Sequence, residues 1–439
     1  MPSNKQIPDY CRQVAEQIRW KRACPAVVQE LEQHLLDQQE AYLNQGYGEE
    51  EAARMAVEQM GDARQVGQAL NRAHRPQTPW FPLVATVGLL LMGALLQTTL
   101  AQQPMPLISY AVAAVLFAIG YFCNISWLGK HAMEIYLGVL AFSTVMLIGS
   151  EPVDGAAVFQ ISPMQLQLCY LALVFPVVYG LFLYGMKGLR TRGVVYGALA
   201  YFPFALILLA VPTMSGLLIY TFAAWAMLAV TIRKNWFSVP GRNRIRNIFV
   251  PVIFPAFALT GAFLSVKGTR LQVFLSPWQD SVDTGRVYCL LRDAVAQAAL
   301  WGEGRADLSV IPTLSENYVL LYGIQRFGLG AFAVLMLLIL GIGMFCIVRG
   351  MQQRTMLGTL LVLAVALTFV LQAFAYAYAN LGYGLWDTLS FPFLSRGNTA
   401  LLLDSLLLGC MLSVLRTGVW LRDTEPQKYG IKLLGIEKR

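Results

Sequence analysis

No Asp, Glu, Lys or Arg occurs between Arg75 and Lys130, between Arg192 and Arg233, or between Arg354 and Asp387. A helix of about 20 apolar residues crosses a bilayer, so each of the first two intervals is long enough for two crossings. The rest of the 439-residue chain agrees: 56% of it is hydrophobic and 13% charged, about half the charge of a soluble protein. The apolar segments fall at about 80–100, 106–127, 134–150, 166–186, 194–210, 216–232, 247–266, 318–348, 356–378 and 399–416. The predicted fold class is therefore all-α: a polytopic membrane protein of about ten transmembrane helices.

Basic residues set the expected topology. Lys130 and His131 follow the second segment, and Lys187, Arg190 and Arg192 follow the fourth. "TIRKNWFSVPGRNRIRN" follows the sixth, Arg349 and Arg354 the eighth, and Arg416, Arg422 and Lys428 the tenth. All of these lie on the side of the polar first 76 residues, which predicts cytoplasmic N- and C-termini, a cytoplasmic tail over 421–439 and no cleavable signal peptide. The net charge of +8 then faces anionic lipid and does not indicate nucleic-acid binding. The seven cysteines and three histidines are scattered; their spacing indicates no disulfide framework, metal site or cofactor.

Residues 1–76 read as a separate helical domain. Val28, Leu31, Leu35 and Tyr42 fall near one helical face, and Ala52, Ala56 and Met60 mark a second helix. "NQGYG" separates them, with Gly46 as a stop and Glu49 to Glu51 in the next first turn. Asp62 is placed to cap a third helix. The pattern "ELEQHLLD…G…EEEAARMAVEQMGD" resembles the small HAAS or permease-prefix domains of Gram-positive signalling and membrane proteins. That resemblance implies an interaction module with a possible cytoplasmic regulator as partner; a solubilising cap is the plainer alternative.

The loop 267–317 is the most informative stretch of the 80–420 membrane region. A loop of this length inside a compact domain is functional or disordered, and its Trp, Tyr and Leu content argues against disorder. "RDAVAQAALWG" predicts a short amphipathic helix carrying Val295, Ala299 and Trp301.

The loop resembles the fourth outer loop of the SEDS family, the FtsW/RodA/SpoVE group of cell-division and cell-shape proteins. Arg270, Phe274, Pro277, Trp278, Asp280, Gly285, Tyr288, Gly302 and Gly304 fit its pattern. In "LSFPFLSRGNTALLLD", Pro392, Phe393, Ser395 and Gly397 fit a second family motif, whereas Arg396 and Asn398 depart from it. Gln372, Asn380 and Gly382 echo the family's ninth helix. Gln160 and Ser162 in "FQISPMQ" echo a Phe-Gln-Pro-Ser-Glu-x-x-Lys motif whose acid and base are absent, and Pro212 in "VPTMSG" echoes a Pro-Asp-x-Gly-Thr motif with Thr213 at the acid's position.

The resemblance implies a protein of peptidoglycan synthesis. The family polymerises the lipid-linked disaccharide lipid II, working beside a class B penicillin-binding protein-like transpeptidase whose membrane helix packs near spans eight and nine. A carboxylate in a Pro-x-x-x-x-Asp-Phe run serves as general base, because a sugar hydroxyl is a poor nucleophile until its proton is taken. The same spacing here runs from Pro312 to Asn317, and an amide accepts no proton at neutral pH. The family's following Glu-Glu-x-Gly falls on Gln325, Arg326, Phe327 and Gly328.

Glu316 is the possible substitute base; its plainer reading is a solvent-facing acid before a helix. Arg270 and Arg396 suit a lipid diphosphate; lipid headgroup contact is an equal alternative for Arg270 and the plainer reading for Arg396; Trp278, Asp280, Ser395 and Gly397 complete the expected binding residues. Asp404, an acid inside an apolar segment, is a functional candidate on cost grounds. It reads either as a structural polar contact, hydrogen-bonded as a neutral acid or paired with Arg396, or as a catalytic or proton-linked group. Three readings follow: a SEDS-like protein that binds lipid II or a partner without polymerising, an active glycosyltransferase with a relocated base, and a flippase or transporter.

Overall fold

The computed structural model describes residues 6–20, 24–73, 78–100, 107–153, 156–161, 164–211, 213–241, 285–311, 317–384 and 389–418, with Ile253, Phe257, Thr260, Gly261, Ser276 and Trp278 between them. It divides into two compact units, Met1–Gln77 and Thr78–Arg439. The apolar segment 247–266, the tail and much of the loop 267–317 lie largely outside the described residues.

The first unit holds four helices: Gln6–Gln17, Cys24–Leu43, Glu49–Met60 and Ala63–Ala73. The first is absent from the sequence expectation. Its signal is the set Ile7, Tyr10, Cys11 and Val14, all buried at one helical face's spacing, with Pro8 sitting in the tolerated first turn. The core also contains Val27, Leu31, Leu35, Ala52, Ala53 and Ala56. Val27 is buried and Val28 is half-buried, a one-residue correction to the expected face. Asp62 caps as expected, its Oδ1 accepting from Arg64 N at 3.3 Å. The Tyr10 hydroxyl donates to Gly61 O at 3.0 Å and ties the first helix to the turn before the last.

Among the described residues of the second unit, seven helices are long and apolar enough to cross a membrane: Trp80–Thr98, Leu168–Gly185, Arg190–Ala210, Met214–Arg233, Leu329–Met351, Met356–Tyr383 and Asn398–Thr417. Two shorter apolar helices, Leu107–Phe122 and Ala132–Ile148, accompany them. The fold is that of a polytopic helical membrane protein. Pro176 and Pro203 lie inside continuous helices.

Two packing devices hold the bundle. Helices Leu107–Phe122 and Asn398–Thr417 meet backbone to backbone: a Cβ on Gly120 would lie 2.6 Å from Leu406 O, and one on Gly409 2.4 Å from Phe117 O. Small residues at a crossing maximise contact where lipid supplies no hydrophobic drive between helices. Elsewhere the core is aromatic. Tyr136, Tyr179, Tyr201 and Tyr220 are buried with Phe175 and Phe204, and each hydroxyl is satisfied. Tyr136 donates to Ala200 O at 2.8 Å, Tyr179 to Gly197 O at 3.0 Å and Tyr220 to Tyr201 O at 3.3 Å, and Tyr201 pairs with Thr221 Oγ1 at 2.7 Å.

The expected segment 318–348 is two helices, Val319–Phe327 and Leu329–Met351, broken at Gly328. A second departure is a three-stranded antiparallel meander, Glu151–Val153, Ala156–Ile161 and Met164–Gln167. "AAVFQI" places the β-branched Val158 and Ile161 and the aromatic Phe159 between helix breakers. Phe159 packs its ring on Gly149 at the end of the preceding helix.

Burial pushes the Cys11 thiol up, with Glu32 adding to it, and raises the Tyr10 hydroxyl, with Asp62 adding there. Folding therefore disfavours both anions. Stability of the first unit is unaffected below the ordinary thiol value of about 8.5 and declines as pH rises through it and through the Tyr value of about 10. Pulse proteolysis in urea on the full chain, read at cleavages within 24–73, is expected to give a lower midpoint at pH 10 than at pH 8. Cys11→Ala is expected to reduce that shift.

Candidate functional site

The described part of the long loop begins with helix Arg286–Ala296, opened by Gly285. It starts six residues before the expected helix at Arg292, and Ala299 and Trp301 lie beyond its end. Periodicity in "RDAVAQAALWG" tracked only its second half. The buried face is Cys289, Leu291 and Ala294; Leu291 and Ala294 pack with Ile311 and Leu321 in a small core of their own.

Past this helix the chain runs beside the break in the apolar segment. Gly302 N donates to Phe327 O at 3.2 Å, Gly304 N to Gln325 O at 2.7 Å, Leu329 N to Ala299 O at 3.0 Å and Gly330 N to Leu300 O at 2.8 Å. The helix is interrupted here, so these groups lose their intrahelical partners, and the loop replaces them. Gly328 is required twice over. Its φ is +93°, and a Cβ would lie 2.6 Å from Leu300 O.

Gln325 and Arg326, which stand where the resemblance expects two acids, complete this clasp. The buried Gln325 amide donates to Ala294 O and accepts from Ala306 N at 3.4 Å. Arg326 pairs with Glu303 at the surface. A little further on, Asp307 Oδ1 accepts from Ser309 N at 2.9 Å. Hydrogen bonds from Ser309 hold its carboxyl below the usual value, which marks it as a local cap.

Asn317 is exposed and stands two residues before helix Val319–Phe327. That helix has no side-chain cap from its own chain start. Its first amides are satisfied from a neighbouring helix instead. Val319 N donates to the Tyr376 hydroxyl at 3.3 Å, and Leu321 N to Asn380 Oδ1 at 3.2 Å. The Asn380 amide also donates to Tyr376 O at 2.9 Å and to the Asn317 carbonyl at 3.2 Å. The main chain at Asn317 is thus held by a fully buried amide, while its side chain is an amide where a base is expected. Pro312 and Glu316 lie outside the described residues.

The same helix continues into a π-helical turn, Ala379–Tyr383. Arg292 Nε donates to Gly382 O at 2.9 Å, and its guanidinium lies 4.5 Å over the Tyr383 ring and 5.1 Å over Trp278. Trp278, expected at a binding surface, is 58% exposed on this stack. Arg292 has a larger role than sequence gives it, because nothing in "CLLRDAV" announces that its guanidinium reaches a second helix. Arg270 and Asp280 lie outside the described residues.

A second polar cluster lies beside residues 389–397. Phe393 takes φ +64°, and its carbonyl accepts from the Tyr110 hydroxyl at 3.1 Å. Gln97 Nε2 donates to Leu394 O at 2.8 Å. Ser395 is buried and donates to Phe391 O at 3.1 Å; Arg396 and Gly397 are half-buried. Asp404 is buried, and its Oδ2 accepts from Gln372 Nε2 at 3.3 Å. Gln372 and Asn380, eight residues apart, each anchor one cluster, and the Tyr376 and Phe391 rings, 5.7 Å apart, join the two.

Two expected motif positions are structural. Gln160 pairs in register with Gln165 in the meander. The Thr213 side chain accepts from Gly216 N at 3.3 Å and caps helix Met214–Arg233. Ser162 and Pro212 lie outside the described residues.

No family model matches the sequence, and no curated protein does. Solved structures do match. One comes from a study of the structural coordination of polymerization and crosslinking by a peptidoglycan synthase complex, at TM-score 0.62 and 18% identity, covering 78% of this chain and 98% of that one. The rod shape determining protein RodA of Thermus thermophilus matches at TM-score 0.51 and 17% identity, covering 77% of this chain and 97% of that one. A point mutant of it matches at TM-score 0.54. The membrane unit therefore has a RodA-like fold.

Gly328→Ala places a side chain at positive φ and against Leu300 O, which costs more than about 1 kcal/mol. The unfolding temperature of the detergent-purified protein is expected to fall by about 3 °C or more. Gly323→Ala, in the same helix with no atom within 4 Å of the added Cβ, is expected to leave it unchanged or raise it.

Proposed function

We propose that this is a SEDS-like protein of bacterial peptidoglycan assembly that binds lipid II and has no polymerase activity of its own. It sits in the plasma membrane with both termini cytoplasmic. The observation that carries this reading is the state of Asn317. The scaffold around it is kept: the helix start is capped by Tyr376 and Asn380, and the clasp at Gly328 is complete. The expected proton acceptor itself is replaced. An amide cannot take the proton of an attacking sugar hydroxyl at neutral pH, so binding survives where general-base catalysis does not.

The replacements at Gln325, Arg326 and Thr213 support the same reading. Each side chain is committed to a hydrogen bond or ion pair that stabilises the fold, leaving none of them as a reserve base. Arg270 and Arg396 are assigned to the lipid diphosphate, with Trp278, Asp280, Ser395 and Gly397 beside them.

The proposed partner is a class B penicillin-binding protein-like transpeptidase. One of the similar structures concerns a synthase complex that couples polymerization to crosslinking. Helix Leu329–Met351 offers a docking face. It is the least buried of the seven long helices, at 22%, with Val334, Leu337, Met344 and Val348 exposed. The HAAS-like first unit is the proposed attachment point for a cytoplasmic regulator.

Polymerisation of fluorescent lipid II by the purified protein tests this, with Asn317→Asp and Glu316→Gln run in parallel. The expected result is no product from wild type with lipid II binding retained, and product from Asn317→Asp. Product from wild type that disappears in Glu316→Gln would overturn the reading in favour of a relocated base.

A further inference from the structure

Two short loops of the membrane unit are bound into one block. The first, 186–189, joins helices Leu171–Gly185 and Arg190–Ala210; the second, 234–239, follows helix Met214–Arg233. Gly188 N donates to Trp236 O at 3.2 Å, Arg190 N to Phe237 O at 2.7 Å and Trp236 Nε1 to Tyr184 O at 3.1 Å. The Trp236 indole stacks on Tyr184 with ring centroids 5.4 Å apart, and Lys187 Nζ lies 5.2 Å from the Trp236 centroid. Phe237 is fully buried. Arg190, Asn235 and Ser238 take φ values of +53°, +55° and +56°. Such conformations are strained for residues with a side chain and persist where the surroundings fix the backbone. Here the bonds between the loops fix it.

The block is basic, and no acid within it offsets the charge. Residues 186–193 and 230–241 contain Lys187, Arg190, Arg192, Arg233 and Lys234 and no Asp or Glu. Lys234 is engaged, its Nζ donating to Met351 O at 3.1 Å and to Thr359 Oγ1 at 2.8 Å. Among the described residues the other four make no ion pair, and Arg190, Arg192 and Arg233 are exposed. Cations held in a fixed frame attract an anion.

The three helices that meet at the block are each long and apolar enough to cross a membrane, so the cations stand at a membrane boundary. Further into helix Arg190–Ala210, Val195, Leu199 and Leu206 are exposed. Positions 192, 195, 199 and 206 recur on one helical face, so Arg192 heads an exposed apolar stripe. A cationic head above an apolar track matches a charged lipid. A soluble phosphate or an acidic peptide would leave the track uncovered.

We propose that Lys187, Arg190, Arg192 and Arg233 bind the headgroup of an anionic glycerophospholipid, with an acyl chain along Val195, Leu199 and Leu206. This inference goes beyond the proposed function and does not depend on it.

Delipidated full-length protein in a non-ionic detergent is titrated with phosphatidylglycerol or with phosphatidylcholine of the same acyl chains, and bound lipid is counted by native mass spectrometry. Wild type is expected to bind phosphatidylglycerol saturably and about ten-fold or more tighter than phosphatidylcholine. Arg192→Gln/Arg233→Gln is expected to lose about ten-fold in phosphatidylglycerol affinity. Arg349→Gln/Arg354→Gln, which removes the same charge from another helix end, is expected to bind as wild type does. The comparison of the two lipids uses wild type alone, so the outcome does not rest on a variant folding. Equal binding of the two lipids, or an equal loss in the two double variants, would overturn the proposal. Displacement of the lipid by inorganic phosphate or by a poly-glutamate peptide would also overturn it, because the acyl track would then contribute nothing.

Discussion

Inside a bilayer a backbone amide or carbonyl that leaves a helix has no water to turn to. The membrane unit breaks regular structure at Gly328 and again at Ala379–Tyr383, and each break is answered by named groups. At Gly328 the run from Ala299 to Gly304 supplies the missing partners. At the start of the Val319 helix the side chains of Tyr376 and Asn380 do so. The clusters around Asn317 and Trp278 exist because these breaks had to be satisfied, and the groups that satisfy them also fix where the site residues stand.

Helix Met356–Tyr378 is the common support. Its spanning window is 78% buried, the highest of the seven, and it carries Gln372 and Tyr376, with Asn380 and Gly382 in the π turn that continues it. Polar groups on so buried a helix are few, and every one named here contacts another segment. A change at Asn380 therefore acts on Asn317 through the main chain, with no direct contact to any ligand.

The spans were legible because length and absence of charge alone specify them. The Asp62 cap was legible because capping is local. The helix start near Asn317 was legible by motif spacing, but its cap was not: Tyr376 and Asn380 are 57 and 59 residues away from the amides they satisfy. The break at Gly328 was hidden for the same reason, since a single glycine in an apolar run is common and its φ depends on the loop beside it. The meander at 151–167 leaves little periodic signal because its strands are short. At Arg326 the sequence shows only that an expected acid is missing, whereas the ion pair with Glu303 depends on the tertiary fold. At such positions the sequence shows a substitution, and only the tertiary partner shows what it is for.

The contact of Gly120 with Leu406 O joins a helix near the start of the membrane unit to the last one, 286 residues later in the chain. Tyr110 and Gln97 reach Phe393 and Leu394 across a similar interval. During synthesis these early helices must wait in the membrane, their small-residue face uncovered, until the final helix arrives. Assembly of the bundle is thus a late event in the life of the nascent chain, and a ribosome that stops short of residue 398 releases a product with that seam open.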